Sequence, residues 1–349
     1  MSASAVTERV VREAMEVALA LSAGVRGNTS PNPPVGAVIL DAEGRRVGTG
    51  ATQPPPGPHA EVVALREAGE RARGGTAVVT LEPCSHHGRT PPCTQALLDA
   101  GVAAVRYAVA DPHPAASGGA ERLRAAGVDV AGGVLAEEVA SGPLRAWLHR
   151  ERTGRPHVTW KYAASLDGRV AAADGTSRWI SGPTSRAEVH ALRAAVDAIV
   201  VGTGTVLTDD PWLTVRTPDG ELAPRQPLRV VVGTRGIPEG ARVLDSTAET
   251  VRIASHDPDE VLALLSERGV VDVLLEGGPT LAGAFVAAGR VDRIIAYVAP
   301  TLLGAGPAAL GPAGVSTITQ AHRWRVEGAT MCGEDVRISA VPVTGEGGD

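Results

Sequence analysis

In the second half of the chain, apolar residues come in unbroken runs rather than in alternation: AIVVG at 198–202, LRVVVG at 228–233 and VDVLLEGG at 271–278. Strands with apolar side chains on both faces belong to mostly parallel sheets covered by helices. The pattern predicts strands at His157–Ala163, Ala198–Val201, Leu228–Val232, Val251–Ala254, Val271–Leu275 and Arg293–Val298, with helices between most of them. In the first half, Val10, Val11, Met15 and Leu19 fall at helical spacing over residues 5–23. Glu13 and Glu16 interrupt them, which makes an amphipathic helix and not a signal peptide. A proline-rich turn, Ser30–Gly36, feeds a strand at Ala37–Leu40 that returns through Arg46–Gly50. Helices at Gln95–Ala100 and Ala120–Ala126 and strands at Val102–Ala110 and Val128–Val130 follow, then one connecting helix at Leu135–Arg150. Thr153-Gly154-Arg155-Pro156 breaks that helix, so the chain reads as two α/β domains, 1–153 and 154–349.

A length of 349 residues agrees with two domains. Apolar content of 44% against 21% charged residues excludes a disordered chain, and with aromatics at 3% the cores must be built from Val, Leu and Ala. The net charge of −6, without Lys/Arg runs or basic residues interleaved with aromatics, argues against a nucleic-acid partner. No apolar span approaches transmembrane length, so no membrane partner is expected. Three cysteines make no disulfide framework and point to a reducing, cytoplasmic setting.

Two of those cysteines, Cys84 and Cys93, stand directly after prolines, with His59 upstream. One imidazole and two thiolates are good zinc ligands, and three protein ligands leave the fourth position open, as in catalytic sites. A structural site would normally be closed by a fourth ligand, and Cys332 lies far away near the C-terminus. Glu61, two residues past His59, completes the nucleobase-deaminase signature H-x-E…P-C-x-x-C, in which the Glu shuttles protons. Here eight residues separate the cysteines instead of two, so SHHGRTPP is an insertion between ligands.

HAE followed by TLEPCSHHGRTPPC resembles the deaminase half of the bifunctional riboflavin-biosynthesis deaminase/reductase family, whose ligand loop is extended in this way. The resemblance implies a cytidine-deaminase-like α/β sandwich. It gives Asn32 a hydrogen bond to the pyrimidine and puts His86 and Arg89 against the substrate. The chain departs from the family at Thr52, where relatives usually carry a His near the substrate phosphate, and at Gly57, often acidic elsewhere.

The second half carries glycine turns after two strands, Val201–Thr205 and Glu276–Thr280. The latter opens a helix whose amides could hold a phosphate. Neither is a G-x-G-x-x-G with an acidic ribose reader, so that dinucleotide fold is not indicated. KYAASLDGR, VGTGTVLTDDPWLTVR, VLLEGGPTLAGAF and YVAPTLLG resemble the reductase half of the same family, with its dihydrofolate-reductase-like α/β fold. The resemblance implies that NADPH meets Ala163, Trp179, Thr205, Asp209, Thr234 and the loop of Gly278, Pro279, Thr280, Leu281, Ala282, Gly283 and Ala284. Ser177, Arg193, Leu213, Arg216 and Glu276 would line the substrate site, with Lys161 at its mouth. Gly233 departs from the acidic residue usual before Thr234. His157, His190 and His322 read as surface or packing residues.

The expected function is two consecutive steps on phosphorylated pyrimidines. Zinc-dependent hydrolysis would remove the 2-amino group of 2,5-diamino-6-ribosylamino-4(3H)-pyrimidinone 5′-phosphate. NADPH would then reduce the ribosyl side chain to ribityl. The alternative is an active deaminase with a non-catalytic reductase-like domain. A homo-oligomer is expected.

Overall fold

The structure is a computed structural model that describes residues 6–85, 92–113 and 117–343. The chain divides into two compact units, Met1–Arg155 and Pro156–Asp349.

The first unit runs α1 (Glu8–Gly24), β1 (Gly36–Leu40), β2 (Arg46–Ala51), α2 (Ala60–Ala68), β3 (Thr76–Leu81), α3 (Cys93–Ala100), β4 (Ala104–Val109), α4 (Gly119–Ala125), β5 (Asp129–Ala131), α5 (Ala136–Ser141) and α6 (Arg145–Thr153). Its five-stranded sheet has the order β2-β1-β3-β4-β5. β1 pairs antiparallel with β2 and β3, while β3, β4 and β5 run parallel. β1 and β3 are buried along their whole length, because helices cover the sheet.

Glycines set how closely those helices sit. A Cβ on Gly50 would collide with the backbone of Ala60 and Ala64, and one on Gly48 with that of Ala64 and Ala68. All three partner residues belong to α2, so α2 lies flush against β2. Gly36 makes the same kind of contact with the backbone of Ala18 in α1. The helix expected over Leu135–Arg150 is instead two helices, because Gly142 and Pro143 fall between α5 and α6 and the proline removes a backbone donor.

The second unit runs β6 (His157–Ser165), α7 (Pro183–Ala194), β7 (Ala198–Gly202), α8 (Thr203–Asp209), β8 (Leu228–Val232), β9 (Thr250–Ile253), α9 (Pro258–Glu267), β10 (Asp272–Leu275), α10 (Pro279–Ala287), β11 (Arg293–Ala299), β12 (Trp324–Cys332) and β13 (Asp335–Pro342). Among the described residues it holds an eight-stranded sheet, β12-β13-β11-β6-β10-β7-β8-β9. The six strands from β11 to β9 are parallel. The hairpin β12–β13 adds on antiparallel at the edge. That hairpin gave no apolar run in the sequence because β12 is mostly exposed. Val158, Val200, Val230, Val273, Leu275 and Phe285 sit in the main core cluster.

Within the apolar run of β8, Arg229 is fully buried. Its guanidinium donates to Asp245 Oδ1 at 2.8 Å, to Thr250 Oγ1 at 2.9 Å and to the carbonyls of Asp245, Ala248 and Trp212. A buried charge is tolerated only when its donors are satisfied in this way. Here it pins the 245–250 turn to the sheet. No helix among the described residues is long and apolar enough to cross a membrane.

The flush seating of α2 is testable. Gly50→Val overpacks the interface between β2 and α2, and such insertions typically cost about 1–3 kcal/mol. Urea melting should show that loss in the first unit, and metal analysis should show weaker retention of added zinc if the candidate ligand His59, the N-cap of α2, is displaced.

Candidate active sites

In the first unit three stretches distant in sequence converge. His59 is the N-cap of α2, Glu61 lies in its first turn, Cys84 follows β3, and Cys93 opens α3 after Pro92. The candidate ligand atoms of His59, Cys84 and Cys93 lie within 4.8 Å of one another. His59 Nδ1 is 3.3 Å from Cys93 Sγ and 3.8 Å from Cys84 Sγ. Tetrahedral zinc with one N and two S ligands needs an N···S separation of about 3.5 Å, so the donor set suits that ion. Glu61 is outside this cluster, which leaves three protein ligands among the described residues.

Electrostatics agree with the donor chemistry. The Cys93 thiol hydrogen-bonds Cys84 and, with His59 and the Cys93 backbone N–H (3.4 Å) adding to it, brings the Cys84 thiol down to about 4. Cys93 shifts the opposite way, since the same hydrogen bond keeps its proton in place. Glu61 is buried at 4% exposure, and burial with the nearby Cys84 thiolate raises its carboxyl above the ordinary range. A buried acid that favours its protonated form is suited to taking up and handing on a proton.

A cleft of about 380 Å³ opens onto Glu61. Asn32 lines it between Pro31 and Pro33, as do Thr52, Glu82, Asp111, His113, Trp147, Arg150 and Glu151. His86 and Arg89 lie outside the described residues. The hydroxyl of Thr52 is buried and accepts from Val35 N–H at 3.1 Å, so it serves the backbone. Glu82 accepts from the amides of Asp111 and Ala120 and thereby fixes the turn after β4. Burial raises the Asp111 carboxyl. Trp147, Arg150 and Glu151 come from α6, a helix that sequence spacing marks only as a connector. Their place in the cleft is a tertiary fact with no local signal.

In the second unit a cleft of about 690 Å³ lies at the carboxyl ends of the parallel strands, where ligands of open α/β sheets bind. Lys161, Ala163, Ser177, Thr205, Asp209 and Glu276 line it, with Gly278, Pro279, Thr280, Leu281 and Ala284. The Gly278 N–H donates to Thr205 Oγ1 at 3.2 Å, which ties the two glycine turns together. Gly278 has φ −66°, so it is no left-handed turn, and a Cβ there would meet only Thr205 Oγ1, at 3.6 Å. The open turns and the size of the cleft suit a dinucleotide.

Ala282 and Gly283 face elsewhere. Ala282 packs in the core, and a Cβ on Gly283 would strike Pro312. Helical periodicity explains this, because Thr280, Leu281 and Ala284 share one face of α10 and Ala282 and Gly283 another. Leu213 is buried beside Val206 and Leu274. The Arg216 guanidinium donates to Gly220 O at 2.6 Å and does not line the cleft. Trp179 is 70% exposed under the Arg186 guanidinium, and it too is absent from the cleft lining.

Glu276 is held by two cations. Arg193 donates to it through Nε (2.6 Å) and Nη2 (3.0 Å), and Lys161 Nζ lies 3.2 Å away. Burial alone would raise its pKa, but Arg193 and then Lys161 overcome that and bring the carboxyl down to about 2. Arg193 touches Glu276 from α7, behind the cleft.

The two clefts define a zinc-type hydrolytic site joined to a dinucleotide-type reductase site. Residues 9–109 match the cytidine and deoxycytidylate deaminase zinc-binding region, and residues 156–338 match the RibD C-terminal domain. The riboflavin biosynthesis protein RibD of Mycobacterium tuberculosis is 60% identical over 331 residues, 95% of this chain and 97% of its own. A solved structure of Acinetobacter baumannii RibD aligns with a TM-score of 0.85 at 36% identity, covering 96% of this chain and 99% of that one. A Thermotoga maritima diaminohydroxyphosphoribosylaminopyrimidine deaminase/5-amino-6-(5-phosphoribosylamino)uracil reductase gives 0.87 at 32% identity with the same coverage. The chain belongs to the RibD family of bifunctional riboflavin-biosynthesis deaminase/reductases.

The Glu276 pair gives a pH prediction. A carboxyl lowered in the fold stabilises it fully above the unfolded value of 4.5, and that stability is lost as pH falls toward 2. The shift corresponds to roughly 3 kcal/mol. Denaturant melting should show Glu276→Gln less stable than wild type by about that amount at pH 6. The gap should close as the pH is lowered below 4.5.

Proposed function

We propose that His59, Cys84 and Cys93 hold one zinc ion and that Glu61 carries the proton of the deaminase step. We place the reductase step at Lys161, Glu276 and the strand-end cleft of the second unit. The chain is a bifunctional hydrolase and oxidoreductase of riboflavin biosynthesis, with a zinc-binding deaminase domain and an NADPH-dependent reductase domain. The observation that carries the site assignment is the three-ligand cluster beside a buried carboxyl that is not itself a ligand. For its domains we take 1–153 and 154–349, and for its substrate 2,5-diamino-6-ribosylamino-4(3H)-pyrimidinone 5′-phosphate.

Bound zinc at this donor set supplies Lewis acidity, lowering the pKa of water from ~15.7 toward ~7. Water adds at the ring carbon bearing the 2-amino group. Glu61 accepts a water proton on its carboxylate and returns it to the amine nitrogen, which leaves as ammonia. Asn32 lines the same cleft and orients the pyrimidine. Arg150 lines it too, and its guanidinium has no hydrogen bond or ion pair among the described residues, so it is available to the substrate phosphate. NADPH, when bound in the second cleft by the turns of Thr205 and Gly278, would supply the hydride for C1′ of the ribose. Glu276, ionised at neutral pH, holds Lys161 Nζ at 3.2 Å in the cleft, placed to bind a ribose oxygen and hand it a proton as the ring opens. The thiolate ligands require unoxidised cysteines, which supports a cytoplasmic location. Val326 and Met331, exposed on the edge strand β12, support a homo-oligomer. The acidic net charge supports small-molecule partners and neither nucleic acid nor membrane.

Glu61→Gln should keep zinc by metal analysis yet lose ammonia release by about 10²–10⁴-fold. Near wild-type release would refute its role. Cys84→Ala, in contrast, should lose the metal while NADPH oxidation persists when the deaminated intermediate is supplied.

Gly278→Val tests the second cleft. With φ −66° and only an ordinary contact to Thr205 Oγ1 at 3.6 Å, the variant should fold, with an unchanged melting temperature. Its side chain projects into the cleft, so the KM for NADPH should rise while ammonia release stays intact.

A further inference from the structure

Between α8 and β8, Leu213, Thr214 and Val215 are buried yet lie in no strand of the sheet. Buried peptide groups must find partners, and side chains supply several of them here. Gln226 accepts from the Val215 N–H at 2.7 Å and donates to the Val215 carbonyl at 2.9 Å. Two more partners come from α7. Arg193 Nη1 donates to the Thr214 carbonyl at 3.2 Å, and the Arg216 N–H donates to His190 Nδ1 at 3.3 Å. His190 and Arg193 stand three residues apart on the helix, so they share one face of it.

The bond to Arg216 fixes the state of the His190 ring. A peptide N–H can only donate, so Nδ1 carries the lone pair and the imidazole is neutral. The surroundings agree. Burial comes first in disfavouring an imidazolium, followed by the Arg193 guanidinium on the same helix, and Arg216 adds to them. The Thr214 carbonyl and Glu276 pull the other way, and the balance lowers the pKa below 6.5.

Arg193 carries this arrangement into the cleft. Its Nε meets Glu276 Oε1 at 2.6 Å and its Nη2 meets Oε2 at 3.0 Å, while Lys161 Nζ lies 3.2 Å from that same Oε2. A guanidinium is planar and rigid. The Thr214 carbonyl on Nη1 is therefore the third point that aims it at Glu276. One chain of contacts runs from His190 through the 214–216 backbone to Arg193, Glu276 and Lys161.

Resting on the placement of the reductase step at Lys161 and Glu276, we propose that His190 is a positioning residue for that step. As a neutral acceptor it holds the 214–216 backbone against α7, which sets the Thr214 carbonyl for Arg193 and so orients Glu276 and Lys161. His190 is not among the residues lining the cleft, so it acts through these groups and not on the cofactor. Protonation removes the acceptor and puts a third cation beside Arg193 and Arg216. Because the folded ring titrates below 6.5, the holding form prevails above that pH and is lost as pH falls through the folded value.

NADPH oxidation by the full chain, supplied with the deaminated intermediate, tests this between about pH 5 and 8. Wild type should lose kcat as the pH falls below 6.5. His190→Ala should lower kcat about 2–10-fold at the alkaline end, the size of one hydrogen bond, with the KM for NADPH unchanged. His190→Gln, whose amide oxygen accepts at any pH, should recover most of that loss and level the acid limb. Ammonia release should be unmoved in both variants. An acid limb that persists in His190→Gln, or wild-type kcat in His190→Ala, overturns the proposal and leaves the reductase placement standing. If wild type oxidises no NADPH, or Glu276→Gln oxidises it at the wild-type rate, the placement falls and takes the proposal with it.

Discussion

The first site depends on how close a helix can come to a sheet. Its metal donors arise 34 residues apart, from the start of α2, the end of β3 and the start of α3. They meet only because α2 lies flush on β2, its backbone against Gly48 and Gly50. A chain with side chains at those two positions would hold α2 further out and carry His59 away from the cysteines. The cost is entropic, because two glycines in a strand order more backbone freedom than any other residue would. In return, the first turns of two helices face one cluster of sulfur and imidazole. There the positive end of α3, with the Cys93 amide on Cys84 Sγ, favours the thiolate that a metal needs.

The second site uses a different solution to the same problem. No metal chemistry is needed for hydride transfer, so the requirement is a rigid floor on which a long cofactor can be oriented. Parallel strands end together on one side of the sheet, and their loops supply that floor. Glu276 is its anchor. Placed beside Lys161 by the β6–β10 register, in which Leu275 pairs with Trp160, it is also gripped from α7 by Arg193. Burial at that depth pushes the pKa of a carboxyl upward. The two cations make it a fixed charge instead, and Lys161 Nζ is held 3.2 Å from it. Arg229 does the equivalent work under the far end of the sheet, where its satisfied guanidinium holds the turn behind β8 and β9.

The legibility of these features in the sequence follows how local they are. Strands buried on both faces announce themselves as apolar runs, and β7, β8 and β10 lie where those runs stand. The convergence of His59, Cys84 and Cys93 was readable because few residue types can ligate zinc and two of them are flanked by proline. The β12–β13 hairpin was not readable, since an exposed edge ribbon needs no apolar pattern. The split between α5 and α6 had a signal, Gly142-Pro143, that was outweighed by the helical spacing on either side. Trp147 and Arg150 reach the first cleft only through the packing of α6. Nothing about a single helix says which cleft it will flank. The helical run 278–284 shows the same limit, since a contiguous stretch cannot face one ligand on every side of a helix.

Two of the three places where the chain departs from the pattern that the resemblance implies, Thr52 and Gly233, have a physical account. Thr52 stands where relatives carry a histidine, and its hydroxyl is spent on the Val35 amide, so it stabilises the turn into β1. Gly233 stands where relatives carry an acid, and its φ of +128° with Thr203 behind it leaves no room for one. In each case the altered residue serves the backbone, and a guanidinium without an internal partner lines the same cleft, Arg150 in the first and Arg235 in the second. Arginine is suited to meeting a phosphate from a new position. It stays charged at any working pH, its long stem reaches across a cleft from a neighbouring element, and its fork meets two phosphate oxygens at once. A phosphate needs only to be met from some side, whereas a proton shuttle must sit at the reacting atom. Phosphate ligands can therefore move along a fold, whereas the roles we propose for His59, Glu61, Cys84 and Cys93 tie them to one place.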